Sequence, residues 1–582
     1  MGLHWLTLPA LLFSIQAFSL NWIDWTPGLF QKATAEKKLV ILDLEAIWCH
    51  WCHVMDEKTY HDPKVAAFLD KNFITVKVDQ DSRPDLSKRY SDYGWPATIL
   101  FDSHGKELAK RAGFIEPGRM LALIEGLVKD PKPEESTPDR VLIAESPFLG
   151  DALKKSALEN HFAQYDAKQD GFGRTHKFLF GNSDELMLRR AWRGEALDKT
   201  RGKNTLLRAL ALIDPVWGGG YQYSVHTWKE PHFEKIAETQ YRNLLLYSTG
   251  YLLYHEPKFL KAASEVHRYV TTFLQGPDGA FYTSQDADLV KGEHSDGFFK
   301  LSDKDRRAKG MPSIDKHQYA RENGLFISGL CAFSTASGDA RATKQATQTA
   351  RWALSQRSLG NGGFRHDEKD SAGPYLADTL EMGRGFLALY QVTGEREWLS
   401  HARAAADFLK TTFSYRSGDK VVGFQTTARS VASELPDMPD KDQNIKIARF
   451  TNLLSRYTGK KEYREMAEQA MRFLATKEVA LETPTAGVIL TDMELGDDPV
   501  HLTVTGKKSD PAAQELFLQA NRYPMTYKRI EWLDAAEGPL PNADVPYPQL
   551  KTAAVFACVK GRCSLPIQSV KELHAKVDKL YH

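Results

Sequence analysis

The stretch "KLVILDLEAIWCHWCHVM", residues 38–55, places an apolar run directly before two closely spaced cysteines. Lys38–Leu44 is rich in branched aliphatic residues, which is typical of a buried β-strand. The cysteines follow as Cys49-His50-Trp51-Cys52, at the start of a predicted helix. Three chemistries fit these letters: C-x-x-C is a redox pair, C-x-x-C-H is the attachment pattern of a c-type haem, and two thiols with two imidazoles bind zinc.

The segments that follow favour the redox interpretation over haem and zinc. Asn72–Asp81 is predicted as a second strand, and Gly94–Phe101 leads into a hairpin whose turn is Ser103–Gly105. The predicted order is strand, C-x-x-C, helix, strand, helix, proline, strand, turn, strand, which is the order of a thioredoxin-like α/β domain. Neither alternative needs this scaffold, so we predict a redox pair with no metal and no cofactor.

The order of the two cysteines predicts their roles. Cys49, at a helix N-terminus, is expected to be the accessible nucleophile, because the helix dipole stabilises its thiolate. Protonated His50 would add to this stabilisation. Cys52 would then resolve the mixed disulfide formed on Cys49. Trp48 and Trp51 are expected to shield the pair and to offer a peptide an apolar contact.

Two further positions resemble thioredoxins. Asp43 lies six residues before Cys49, the spacing of the buried aspartate of thioredoxins. The resemblance implies that Asp43 exchanges a proton with Cys52 and that burial raises its pKa. Trp95-Pro96 lies where thioredoxins have a cis-proline, which implies that the backbone at Trp95 pairs with a substrate peptide.

The ends of the chain and its charge bear on location and partners. Residues 1–19 are predicted to be a secretion signal, with an apolar core at Leu6–Phe13 and small residues at Ala17 and Ser19. We therefore expect a periplasmic or secreted protein with no membrane span after cleavage. The formal net charge is +1, which gives no basis for nucleic-acid binding.

The chain after the proline-rich linker Lys129–Arg140 repeats a helical hairpin. Aligning the repeats makes His255, Gly338, Gly394 and Gly459 equivalent, at spacings of 83, 56 and 65 residues. Repeated hairpins stack into an open solenoid or close into a ring. Glycine-aromatic loops such as "NGGF" after every second helix are similar to those of (α/α)6 toroids, so we predict a toroid over residues 141–540.

Motifs in both parts of the chain resemble the spermatogenesis-associated protein 20-like thioredoxin-domain family. They are "CHWCHVM", "VAAFLDKNF", "VKVDQDSRPD", "GWPATILF", "GGGYQYS", "PHFEK", "SQDAD", "NGLFISGL" and "YLADT". The resemblance implies a thioredoxin-like domain at 20–130, a six-hairpin glycosidase-like toroid at 141–540 and a C-terminal segment at 541–582. The tail "VFACVKGRCSLP" resembles the family's C-terminal hairpin, which implies a structural disulfide between Cys558 and Cys563.

The loops of the toroid carry a second set of candidate residues. Paired carboxylates serve as acid and base on a glycosidic bond, and a histidine can move a proton at a sugar carbon. The same polar residues are often structural in helical rings, where they satisfy loop backbone. The candidates for substrate binding are His232, Glu234, Asp286, Asp288 and Asp378, with Asn323 and Glu381 as further members of the group.

The residues together predict an exported thiol–disulfide oxidoreductase whose toroid binds or positions a substrate. Its partners would be protein thiols or disulfides, and a glycan is the other ligand class considered for the toroid. One alternative is a carbohydrate-active enzyme, a glycosidase or sugar epimerase, with an accessory thioredoxin-like domain. A second alternative is a non-catalytic binding protein in which Cys49–Cys52 is a permanent bridge.

Overall fold

The computed structural model describes residues 20–134, 141–370, 372–428, 435 and 438–581. The predicted secretion signal, residues 1–19, lies outside the described residues, as does part of the predicted linker, residues 135–140. The described chain forms two compact units. The first contains the residues up to Ala46, Trp51–Asp79 and residues 92–134, and the second contains Ile47–His50, Gln80–Ser91 and the residues from 141 onward.

The first unit is built on a four-stranded sheet with the order β2-β1-β3-β4. Strand β1 pairs in parallel with β2 and antiparallel with β3, which pairs antiparallel with β4. The strands are β1 (Leu39–Glu45), β2 (Phe73–Asp79), β3 (Ala97–Phe101) and β4 (Glu107–Ala112). The helices of this part of the chain are α1 (Leu29–Glu36), α2 (His50–Met55), α3 (Pro63–Asn72), α4 (Pro84–Arg89) and α5 (Pro117–Lys129). This arrangement confirms the predicted thioredoxin-like fold.

Strand β1 explains why this sheet forms and where it is polar. Its central residues are buried on both faces, and Ile41 packs in a core with Leu69, Leu100 and Ile124. Asp43 is the exception within this apolar run, and it lies directly opposite Lys77 on β2. The sheet therefore holds one carboxylate in its interior, close in sequence to the cysteines that follow the strand.

The second unit is mainly helical. Its helices before the C-terminal region are α6 (Asp151–Ala163), α7 (Gly181–Trp192), α8 (Ala196–Ala209), α9 (Ala237–Tyr254), α10 (Pro257–Tyr269), α11 (Asp296–Phe299), α12 (Asp303–Lys309), α13 (Ala320–Ser337), α14 (Ala340–Gln356), α15 (Leu376–Thr393), α16 (Arg396–Phe413), α17 (Lys441–Thr458), α18 (Lys461–Leu474), α19 (Lys477–Leu481) and α20 (Ala486–Gly496). Short strands lie in the loops: β5 (Tyr165–Asp166), β6 (Gly171–Phe172), β7 (His176–Lys177), β8 (Tyr223–Val225), β9 (Pro231–His232), β10 (Lys235–Ile236), β11 (Ser284–Gln285), β12 (Ile314–Asp315), β13 (Ser414–Ser417) and β14 (Lys420–Phe424).

Six of these helices form a closed inner ring. Helices α7, α9, α13, α15, α17 and α20 each contact the next, and α20 contacts α7 again. The outer helices α8, α10, α14, α16 and α18 pair with the inner helices that precede them, and α6 packs on α20. The predicted (α/α)6 toroid is confirmed. Among the described residues, no helix has both the length and the apolar character needed to cross a bilayer.

The sequence repeats correspond to one recurring structural position. His255, Gly338, Gly394 and Gly459 each follow directly after an inner helix, with φ of 53°, 76°, 69° and 68°. These values lie in the left-handed region that terminates helices and favours glycine. The alignment of the repeats therefore identified the helix ends.

A second recurring position holds the glycine-aromatic loops. The fourth residue of an inner helix accepts the backbone N–H of a loop residue in the preceding turn. The four acceptors are Gln240, Asn323, Thr379 and Asn444, and they accept from Gly220, Phe281, Phe364 and Phe424 at 2.7, 2.7, 3.0 and 2.9 Å. Because buried backbone N–H groups need a partner, these side chains have a structural role.

The chain ends in a second α/β region. It comprises β15 (Val500–Thr505), α21 (Pro511–Asn521), β16 (Lys528–Leu533), β17 (Ala554–Val559), β18 (Arg562–Cys563) and α22 (Val570–Tyr581). The sheet order β16-β15-β17-β18 and its parallel and antiparallel pairings repeat those of the first unit. The residues after β15, "GKKSDP", contain no cysteine. This region extends to both sides of residue 541, the predicted start of the C-terminal segment.

Cys558 and Cys563 form a disulfide between β17 and β18. Their sequence separation is 5, so the closed loop is short and restricts the unfolded chain only modestly. Replacing both residues with alanine is expected to lower the free energy of unfolding by about 2 kcal/mol. Urea denaturation measures this loss, with the reduced wild type as the control. A variant as stable as the oxidised wild type would contradict a structural role.

Candidate active site

Cys49 and Cys52 are disulfide-bonded and flank the start of α2. Cys49 immediately precedes the first helical residue, His50, as predicted. The two cysteines are 4% and 2% exposed. The expected accessibility of Cys49 is therefore absent in this conformation, in which the flanking Trp48 and His50 are each only 3% exposed.

Trp48, directly before Cys49, is held through hydrogen bonds within the second unit. Its indole Nε1 donates to Asp81 Oδ2 at 2.6 Å, and the carbonyl oxygen of Asp81 lies 2.7 Å from His366 Nε2. The other ring nitrogen of His366 lies 2.8 Å from Asp378 Oδ1. Burial alone would lower the pKa of His366, but Asp378 outweighs it and raises the pKa to about 9. An imidazolium–carboxylate pair therefore supports the segment that holds Trp48.

His50, directly after Cys49, has a partner of its own in the second unit. Its Nδ1 lies 2.8 Å from Asp288 Oδ1, and both side chains are almost fully buried. The ring of His294 lies 4.2 Å from the ring of His50, measured between centroids. Trp48 and His50, the residues on both sides of Cys49, thus bind the side chains of Asp81 and Asp288 from later parts of the chain.

Glu234 contacts the backbone of His50 with its side chain. Its carboxyl accepts the backbone N–H of His50, and burial, the larger effect, raises its pKa to about 7. Strands β10 and β11 pair antiparallel with Lys235 opposite Gln285, which brings Glu234 close to Asp286. This carboxyl therefore titrates near neutral pH at the start of the C-x-x-C helix.

His232 completes this cluster. Its ring stacks on that of Tyr223 at 4.3 Å between centroids. Burial, followed by His50 and His294, lowers the pKa of His232 to about 4, so it is neutral at neutral pH. His232, Glu234, Asp286 and Asp288 therefore lie near His50, whereas Asp378 belongs to the separate pair with His366. Their roles in substrate binding remain predictions.

Asp43 has its own environment within the first unit. Lys77 Nζ lies 3.6 Å from Asp43 Oδ2 and 3.4 Å from Glu45 Oε2, and it donates to Asp56 Oδ1 at 2.8 Å. Burial and the neighbouring Glu45 raise the pKa of Asp43 to about 7, although Lys77 opposes this shift. A carboxyl with such a pKa both takes and releases a proton near neutral pH.

The remaining predicted residues near the cysteines lie in or beside the first unit. The Trp51 ring stacks on Phe114 with 6.1 Å between centroids, and both Trp51 and Trp95 are partly buried. The Trp95–Pro96 peptide bond is cis, and the carbonyl of Pro96 accepts the N–H of Gly113 at 2.8 Å. Peptide binding by Trp48, Trp51, Trp95 and Pro96 stays a prediction.

Two further candidates predicted for the loops of the toroid, Asn323 and Glu381, have structural partners. Asn323 accepts the N–H of Phe281, and Glu381 binds Lys446 at 2.8 Å and also pairs with Arg384. Sequence reasoning missed His294, His366 and Asp81. The only available indication for Asp81 was its place in "VKVDQDSRPD", and the two histidines lie in loops without a recognisable pattern.

Helices of the inner ring also line a cavity of about 720 Å³. This volume is within the range of small-molecule sites. Its wall is rich in charged side chains, including Lys88, Glu238, Arg242, Arg384, Lys446 and Arg449. His232, Glu234, Asp286, Asp288 and Asp378 do not line it. The cavity and the residues near Cys49 are therefore separate features of the second unit.

Comparisons with known proteins give a family model that matches the N-terminal part and several curated relatives. A sequence profile named Thioredox_DsbH and described as "Protein of unknown function, DUF255" matches residues 9–120. Thiol:disulfide interchange protein DsbD of Ralstonia nicotianae is 36% identical over 109 residues, which are 18% of this chain and 18% of the relative. The similarity to this relative thus covers less than a fifth of either chain.

A longer match reaches into the ring. Spermatogenesis-associated protein 20 of Homo sapiens is 27% identical over 308 residues, which are 46% of this chain and 39% of the relative. The match thus spans about two fifths of that relative's length. Among solved structures, cellobiose 2-epimerase from Bacillus thermoamylovorans aligns with a TM-score of 0.44 and 9% identity, over 55% of this chain and 86% of that chain. The predicted resemblance to the spermatogenesis-associated protein 20-like thioredoxin-domain proteins is confirmed.

Proposed function

We propose that this protein is a thiol–disulfide oxidoreductase whose redox pair is Cys49 and Cys52. The observation that carries the proposal is a disulfide-bonded C-x-x-C at the start of a helix, on a thioredoxin-like sheet that buries Asp43. The similarity of this region to a protein named thiol:disulfide interchange protein supports the same reaction class. Whether the pair reduces or oxidises its client depends on the relative reduction potentials.

In the reducing direction, the Cys49 thiolate attacks one sulfur of a client disulfide. A bond forms between Cys49 Sγ and that sulfur, and the second client sulfur leaves as a thiolate. The Cys52 thiol then gives its proton to the Asp43 carboxylate, and the Cys52 thiolate attacks Cys49 Sγ. The client leaves with two added electrons, and the Cys49–Cys52 disulfide is restored. A dithiol protein would reduce it for the next cycle.

The second unit supports this chemistry by holding the residues beside Cys49. Trp48 reaches the His366–Asp378 pair through Asp81, and His50 binds Asp288. A carbohydrate-active site would need its carboxylates available to a sugar. Here Asp288 binds His50, and Asp378 binds His366 and accepts the N–H of Arg321 at 2.9 Å. These contacts favour a supporting role in the redox site over glycan hydrolysis.

Access to Cys49 is part of the proposal. Because the cysteine is 4% exposed, a client sulfur reaches it only after side chains near it move. Export to the periplasm or the cell exterior fits the two disulfides of the described chain, since such bonds persist in oxidising compartments. The client class is a protein disulfide or dithiol.

Trapping tests the assignment of the two cysteines. Reduced Cys52→Ser protein, mixed with a peptide that carries one disulfide, is expected to accumulate a one-to-one adduct on Cys49. The adduct persists because no second thiol resolves it. Mass spectrometry of the intact protein after acid quenching measures the adduct.

Cys49→Ser is the matched control, because it removes one sulfur from the same pair. It is expected to form no lasting adduct, while the wild type turns the peptide over without accumulating one. Equal adducts on both variants, or none on either, would count against the proposed exchange. Stable oxidised wild type in excess dithiol would instead favour a permanent bridge.

A further inference from the structure

The imidazole of His50 is held by a carboxylate from a distant part of the chain. The two residues lie 238 positions apart in sequence, within the same structural unit. Nδ1 of His50 and Oδ1 of Asp288 are 2.8 Å apart, and their side chains are 4% and 1% exposed. A contact of this length between buried groups fixes the orientation of the ring and makes Nδ1 the protonated nitrogen.

Asp288 is itself fixed by backbone groups. Its Oδ2 accepts the N–H of Gly292 at 2.8 Å, and its own N–H donates to Asp286 Oδ1 at 2.9 Å. The carboxylate therefore cannot turn away from His50 without breaking its bond to Gly292. Such partners are what keeps a buried functional side chain in a defined position.

The other titratable groups near His50 do not replace Asp288. His294 contacts the His50 ring, and His232 is neutral at neutral pH because its pKa is about 4. Glu234 accepts the backbone N–H of His50 and does not bind its ring. The charge of Asp286 contributes to the raised pKa of Glu234. The carboxylate that lies 2.8 Å from the His50 imidazole is that of Asp288.

We propose that Asp288 is a positioning residue for thiol–disulfide exchange, which it serves through His50. With Nδ1–H directed at Asp288, the ring takes up a proton at Nε2 when the reduced Cys49 thiol ionises, and the carboxylate stabilises the resulting imidazolium. A proton moves in this step, and no electrons are transferred. The imidazolium then lies in the residue adjacent to Cys49 and favours the attacking thiolate. This inference rests on the proposed function.

The test is the pH dependence of Cys49 alkylation in a Cys52→Ser background. Asp288→Asn removes the charge and keeps the shape. We expect the iodoacetamide reaction of Cys49 at pH 7 to slow at least about tenfold. The His50 imidazolium that stabilises the Cys49 thiolate loses its carboxylate partner, so the thiol pKa should rise by about a unit or more. The rate at high pH, where the thiol is fully ionised, is expected to match that of the parent. Asp288→Glu keeps the charge and should restore most of the rate at pH 7.

Two comparisons separate this role from a structural one. His501→Gln breaks another buried histidine–carboxylate pair, His501 with Glu531 at 3.0 Å, and should leave the alkylation profile unchanged. In a His50→Gln background, Asp288→Asn should cause little further slowing of Cys49 alkylation at pH 7, because the two residues act as one unit.

An equal slowing at every pH, or a full additional shift in the His50→Gln background, would overturn the proposal. Alkylation does not need a client, so it reports on Asp288 even if the trapping experiment fails. If Asp288→Asn slows Cys49 alkylation at pH 7 as expected but no adduct is trapped, only the proposed exchange is rejected. If an adduct is trapped but Asp288→Asn leaves the pH dependence of Cys49 alkylation unchanged, only the role of Asp288 is rejected.

Discussion

Asp43→Asn is expected to slow disulfide exchange by about 10²- to 10⁴-fold, the usual contribution of a general acid–base group. Asparagine cannot take the Cys52 proton, so the resolving step loses its base. The wild-type rate should rise as the pH passes through about 7, because that is where the Asp43 carboxyl ionises. The variant should lack this rise. Stopped-flow measurement of the resolving step between pH 5 and pH 9 tests both statements.

The same substitution is expected to stabilise the fold. Because burial raises the folded-state pKa of Asp43 from 3.8 to about 7, the folded protein binds an extra proton between these values. Stability therefore falls as the pH rises through this window, and a neutral asparagine removes the penalty. Asp56→Asn is the matched control, since it removes another Lys77 partner from a more exposed position. A slower but no more stable Asp43 variant, or an equally slow Asp56 variant, would contradict this account.

Asp214→Asn is expected to have the largest effect on stability. Asp214 binds Lys235 Nζ at 2.7 Å and Arg306 at 2.7 and 3.1 Å, and all three side chains are fully buried. Burial alone would raise the pKa of Asp214, but the two cations outweigh it and lower the pKa. Removing the carboxylate leaves two buried cations without their partner, which costs about 3–5 kcal/mol. Urea denaturation followed by tryptophan fluorescence measures this loss.

Glu397→Gln is the control for this prediction. It breaks the ion pair of Glu397 with Arg351, whose side chains are 42% and 52% exposed. Exposed pairs of this kind contribute about 1 kcal/mol or less. Comparable losses of unfolding free energy in the two variants would show that burial does not determine how much the contacts of Asp214 with Lys235 and Arg306 contribute to stability. Lys235 is the first residue of β10 and follows Glu234 directly, so its contact with Asp214 also anchors the chain next to Glu234.

The ring could be predicted because its structure depends on local patterns. Four of the six inner helices, α9, α13, α15 and α17, end at a left-handed residue, and that residue is a glycine at Gly338, Gly394 and Gly459. The thioredoxin-like sheet was predictable for the same reason, since an apolar strand, a C-x-x-C and a proline follow one another within a short segment. The second α/β region was missed, because no cysteine pair marks its first turn.

The contacts around Cys49 were only partly predictable. Residue type and loop position suggested that His232, Glu234, Asp286 and Asp288 form a group, with a glycan as one of the ligand classes considered. The structure places His50 against Asp288 instead. No periodicity relates residues so far apart in the chain, and pairing of this kind depends on the three-dimensional course of the loops. His366 was missed for the same reason.

The division of the chain has a consequence for experiments on fragments. The chain passes from one compact unit to the other on either side of Ile47–His50 and again on either side of Gln80–Ser91. A recombinant fragment ending near residue 134 would contain both cysteines and Asp43 but would lack Asp288, His366 and Asp378. Reduction potentials measured on such a fragment would therefore describe a different environment of Cys49. Biochemical characterisation of this cysteine pair requires the intact polypeptide.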